Sequence, residues 1–136
     1  MGALFIGLAG GCAAGHAGQR ADTPTVTAED IANRPDVPID HLIQTKAPGV
    51  IVGRTRSGAI MLQIRGSSPF SDNNGAPLYV INGTPIEAGP DGAMPDINPY
   101  DIESIKVLKG AETTLYGIQG AYGVIVITMK KPARRN

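Results

Sequence analysis

The chain has 136 residues, of which 42% are hydrophobic and 18% charged, enough for one domain with a real core and too few for two of ordinary size. Its 12 Lys and Arg balance 12 Asp and Glu, so the cation surplus that phosphate backbones demand is missing and nucleic-acid binding is excluded as a main activity. With no Trp and few other aromatics, a stacking platform for bases or sugars is also unsupported. The 18 Gly and 11 Pro point to short elements joined by many turns.

Residues 1–12 read MGALFIGLAGGC. This apolar stretch ends in Ala9, Gly10 and Gly11 and then Cys12, and it is similar to the end of a bacterial lipoprotein signal. Cys12 is the lipidation candidate. As the single cysteine, it allows no intramolecular disulfide. The run is far shorter than the roughly 20 apolar residues that cross a bilayer as a helix. Residues 13–24 have no periodicity and read as a linker in which His16 stands alone.

The folded domain is expected to span residues 25–131. Thr27 reads as a helix N-cap with Asp30 three residues on, and Pro35 and Pro38 keep that helix short. Ile39, Leu42 and Ile43 recur at helical spacing over residues 39–46, and Pro48-Gly49 ends the helix. His41 beside Asp40 reads as a solvated pair, since no nucleophile accompanies it. From Val50 the period becomes strand-like. Ile60, Leu62 and Ile64 alternate with Met61, Gln63 and Arg65, which suits a strand with one buried face.

Residues 66–76 form a polar loop. Leu78 to Ile81 is the next strand, Asn82-Gly83 a type I′ hairpin turn, and Thr84-Pro85-Ile86 the return strand, which Pro85 places at a sheet edge. Residues 88–99 form a second loop rich in Gly, Pro and Asp. Ser104 to Leu108 is a strand, a short helix follows around residues 111–116, and Val124 to Met129 is apolar on both faces, as in a central strand. A basic tail, with Lys130, Lys131, Arg134 and Arg135, occupies the end of the chain.

The order and spacing of several short motifs carry a resemblance. They are Ile64-Arg65-Gly66, Pro77-Leu78-Tyr79-Val80-Ile81 with Asn82-Gly83, Asp101-Ile102-Glu103-Ser104-Ile105, Val107-Leu108-Lys109-Gly110, Leu115-Tyr116-Gly117 and Gly123-Val124-Ile125. Together they resemble the plug domain of TonB-dependent outer-membrane receptors, most closely the subgroup that imports glycans and peptides. The resemblance implies a small α/β (α+β) fold, a mixed β-sheet with short helices. In that family a large β-barrel follows the plug, and the 136 residues hold none.

The chemistry-bearing patterns are weak by comparison. Gly117, Gly120 and Gly123 precede a strand rather than a helix N-terminus, so they do not form a phosphate-binding loop. Ser67 and Ser68 lack a base and a nucleophile elbow. Asp72, Asp91, Asp96 and Asp101 do not follow calcium-loop spacing. No catalytic, metal-binding or cofactor-binding residue is expected, and the protein is expected to be non-catalytic.

Two functions stay open. One is a membrane-associated accessory subunit that stabilises a larger bacterial membrane protein complex, an envelope transporter or an energy-converting assembly, respiratory or photosynthetic. The other is a stand-alone plug-like module that binds ligand for a TonB-dependent uptake system. The surface candidates are Ser67, Ser68, Phe70, Asp72, Asn73 and Asn74 in the first loop, Asp91 and Asp96 in the second, and the basic tail. The expected setting is the periplasmic side of a membrane, with lipid contact through the N-terminus and no nucleic-acid partner.

Overall fold

A five-stranded sheet in the order β1-β6-β7-β4-β5 forms the frame of the molecule. The computed structural model describes residues 23–66 and 75–132. The strands are β1 (Thr25–Thr27), β4 (Leu78–Ile81), β5 (Thr84–Ile86), β6 (Ile102–Leu108) and β7 (Val124–Met129). β4 and β7 run parallel and every other pair antiparallel, so the sheet is mixed. Two strands, β2 (Val50–Arg54) and β3 (Ile60–Ile64), form a separate hairpin.

β7 lies in the middle of the frame, and its side chains explain why. Ile125 and Ile127 join the larger core, while Val124 packs in a smaller cluster with Leu78 and Val80. Both faces of the strand are therefore covered. The hairpin supplies Leu62 and Ile64 to the larger core, against Tyr79, Ile105 and Val107. The alternation along residues 60–64 is thus a docking face against the frame, rather than one face of a strand within it.

α1 (Ala28–Ala32) starts at Thr27 with a capping box. The Asp30 N–H donates to Thr27 Oγ1 at 3.3 Å, and the Thr27 N–H donates to Asp30 Oδ2 at 3.1 Å. These two bonds satisfy orphan donors at the helix start. α2 (Ile39–Lys46) buries Ile39, Leu42 and Ile43, the residues that repeat at helical spacing. Lys46 in its last turn reaches Asp30 of α1 at 2.7 Å. The ammonium beside it, together with the Thr27 bonds, lowers the Asp30 pKa to about 2.

The β4–β5 turn is type I′. Asn82 and Gly83 have φ of 49° and 84°, the two positive values this turn requires. Asn82 also tethers the central strand. Its side-chain oxygen accepts from the Met129 N–H at 2.9 Å and holds the end of β7. β5 is an edge strand, exposed along its length.

Candidate functional site

Both polar loops are anchored at the same end of the frame, and Gly123 gathers the two residues that flank the first of them. Leu78, which follows the first loop, donates its N–H to the Gly123 carbonyl at 3.0 Å. Ile64, which precedes that loop, lies over the α-carbon of Gly123, where a β-carbon would collide with its Cδ1. Gly123 also has a φ of 95°. Only glycine meets both conditions, the left-handed backbone and the missing side chain. Ile64 and Leu78, on either side of that loop, therefore both sit against Gly123.

A cleft of about 160 Å³ opens beside it, lined by Ala76, Pro77, Glu87, Ala88, Ile118 and Tyr122, among others. Glu87 and Ala88 are where the second loop starts. That loop turns at Pro90–Gly92, with Asp91 exposed at a φ of 57°. It then runs along the hairpin, where the Met94 N–H donates to the Ile60 carbonyl at 2.7 Å. Asp96 is exposed further on, and Asn98 caps the turn Pro99–Asp101 through the Tyr100 N–H. Asp91 and Asp96 are thus both presented to solvent, on separate parts of the loop.

The segment Gly110–Gly120 borders the same cleft. It is a 3-10 helix broken at Gly117, where φ is 56° and ψ is −138°. Tyr116 folds under the sheet beside Leu78, Val80 and Val124. Leu115 and Ile118 point outward and are 93% and 91% exposed. Two fully exposed aliphatic side chains so close together are uncommon on a monomer surface. The sequence reading here is a short helix around residues 111–116, with no surface role assigned to it. The signal it carried was two large aliphatics three residues apart in a stretch too short and glycine-rich to bury both.

Of the other candidates, Ser67, Ser68, Phe70, Asp72, Asn73 and Asn74 lie outside the described residues, as do Cys12, His16, Arg134 and Arg135. Lys130 is pinned: its ammonium donates to the Tyr100 carbonyl and its N–H to the Asp101 carbonyl, each at 2.7 Å. Lys131 is exposed. His41 is exposed, and the Asp40 carboxylate beside it is engaged by Arg54 at 2.9 Å. Among the described residues no group of three His, Cys, Asp or Glu is arranged to hold a metal ion. No helix among them is long and apolar enough to cross a membrane.

A five-stranded mixed sheet, a docked two-stranded hairpin and short helical turns define a small α+β domain with a cleft at one end of the frame. The chain belongs to the TonB-dependent receptor plug domain family, whose model matches residues 18–124. TonB-dependent receptor P26 of Formosa agariphila is 36% identical over 110 residues, covering 78% of this chain and 11% of that protein. TonB-dependent receptor SusC of Bacteroides thetaiotaomicron is 40% identical over 82 residues, covering 57% of this chain and 8% of SusC. The siderophore receptor PirA of Pseudomonas aeruginosa superposes with a TM-score of 0.58 at 33% identity, over 86% of this chain and 20% of PirA. The RagAB peptide transporter superposes with a TM-score of 0.59 at 29% identity, over 82% of this chain and 12% of that one. The chain spans about a tenth of the length of curated relatives such as P26 and P39. The curated relatives P26 and SusC are TonB-dependent receptors, and the mixed sheet with short helices is the plug fold.

Proposed function

We propose that this domain works as a non-catalytic, ligand-engaging plug in a TonB-dependent uptake system of an outer membrane. The observation that carries the reading is the family match over residues 18–124, joined to a fold that roots both polar loops beside one cleft. In this reading the first loop (Ser67, Ser68, Phe70, Asp72, Asn73 and Asn74) and the second (Asp91 and Asp96) touch the ligand. The Leu115–Ile118 edge borders the same surface. The domain then faces the periplasm at a membrane, with a membrane protein complex as its partner. Lipidation of Cys12 belongs to the same proposal.

The similarity to uptake receptors favours ligand engagement over a purely structural accessory role. The test is titration calorimetry of the domain with an oligosaccharide, a short peptide and a ferric catecholate. Saturable binding of one of them is expected. Replacing residues 67–74 by a Gly-Ser loop, together with Asp91→Ala and Asp96→Ala, should abolish it while the circular dichroism is unchanged. Failure of all three ligands, with the protein recovered in a stable membrane assembly, would favour the accessory-subunit reading instead.

A further inference from the structure

Sheet edges carry unpaired main-chain groups, and several edges among the described residues are blunted or engaged. Along β4 and the residue after it, the Leu78 and Asn82 N–H groups bond to the carbonyls of Gly123, just before β7, and of Ile127 within it, so alternate residues Tyr79 and Ile81 bond toward β5. Pro85, opposite Val80, then aims its nitrogen at solvent, where proline has no hydrogen to offer. The outer edge of β3 is engaged by Ala93 and Met94. On β1 the Thr27 N–H is taken by Asp30 as α1 begins.

β2 differs. The Arg65 N–H donates to the Gly49 carbonyl at 2.7 Å, and the Thr55 N–H to the Ala59 carbonyl at 2.9 Å. In that register Ile51 and Gly53 also turn their main chain toward β3. Val50, Val52 and Arg54 turn theirs away. Ala47 accepts from the Val50 N–H at 3.1 Å. The N–H and C=O of Val52 and Arg54 have no partner among the described residues. They face a groove of about 220 Å³ whose other wall is α2, with Asp40, His41 and Gln44. The Arg54–Asp40 ion pair spans one end of it.

We propose that this edge takes up an extended peptide segment of a partner protein by strand addition. Donors and acceptors at Val52 and Arg54 recur every second residue, the spacing that an extended main chain presents and that a sugar or a chelate does not. The residue set opposite Val52 would meet His41 and Gln44, so a small polar side chain fits there. Its neighbours would lie beside Ile51, which is 46% exposed, so apolar side chains fit at those places. The partner is therefore a strand that alternates polar and apolar residues. This site is separate from the loop cleft and stands whether or not the uptake reading holds.

The experiment is amide hydrogen exchange by NMR on the domain, with a blocked hexapeptide of alternating Thr and Val as the probe. The Val52 and Arg54 amides should exchange fast in the free protein. They should slow by about tenfold or more with peptide at millimolar concentration. Val52→Pro places on β2 the device that β5 already carries, and it should abolish the effect with the melting temperature kept. As a check that does not depend on that variant folding, the same peptide N-methylated on its pairing edge should fail to bind. Slow exchange at Val52 in the free protein would mean that α2 already covers the edge, and overturns the proposal. So would protection at another strand, equal binding of the N-methylated peptide, or no slowing at millimolar peptide.

Discussion

Ile64 occupies the space that a β-carbon on residue 123 would need, so the hairpin and the central strand meet without a gap. Gly123→Ala should therefore cost about 3 kcal/mol, from the left-handed backbone and from overpacking together. Ile64→Val removes the methyl group that collides. In that background the same Gly123→Ala change should cost at least ~1 kcal/mol less, a coupling expected only for residues in contact. Urea denaturation of the four proteins closes this cycle.

Asp30 links stability to pH. Its carboxyl is held at about 2 in the folded state, below the ordinary value of 3.8, by the Lys46 ammonium and the Thr27 bonds. A lowered folded pKa gives stability that is fully present above the unfolded value. That stability is lost as pH falls through 3.8 toward 2. Asp30→Asn should remove this part of the acid dependence, and Asp30→Ala should cost about 1 kcal/mol at neutral pH through loss of the bond its carboxylate accepts from the Thr27 N–H and of the Lys46 ion pair. Chemical denaturation at neutral pH and near the folded pKa compares the slopes.

Tyr79 is fully buried, and its hydroxyl has no hydrogen bond of good geometry among the described residues, although the Leu62 backbone faces it. Tyr79→Phe keeps the shape and removes an unsatisfied group, so stability should rise by about 1 kcal/mol. Burial also pushes the phenol pKa up. A raised folded pKa means stability is intact below the unfolded value of 10.0 and declines as pH rises past it. The Phe variant should lose that alkaline decline in a series of melts.

Pro85 blunts the β5 edge. Pro85→Val restores an outward N–H on a strand that is exposed along its length. The variant should form dimers or larger species with rising concentration, seen by light scattering after gel filtration, while the wild-type domain forms none through this edge. A variant that stays monomeric at millimolar concentration would show that Pro85 serves only the turn.

Much of the fold was legible because its signals are local. Asn82-Gly83 announces a two-residue turn by backbone sterics alone, and Ile39, Leu42 and Ile43 announce a buried helix face by spacing alone. Thr27 and Asp30 sit within one turn of each other, so their capping box is also local. The break at Gly117 was less visible, since a glycine tolerates both helical and left-handed backbone. The outward turn of Leu115 and Ile118 was only hinted at by their spacing in a short, glycine-rich stretch, because exposure depends on what the rest of the chain has room to cover.

By itself, then, the sequence determined most of the elements, the edge position of β5 and the family, all of which rest on short-range sterics and on the order of motifs; the edge strand β1 (Thr25–Thr27) was not among them. Tertiary structure alone decided the partners: Lys46 with Asp30, Arg54 with Asp40, Ile64 over Gly123. It also decided that 50–64 folds as a hairpin apart from the main sheet, and that its outer strand keeps an open edge. Each of these follows from the relative placement of segments far apart in the chain. Main-chain polarity is the same for every residue, so only the packed fold shows which groups are left unpaired.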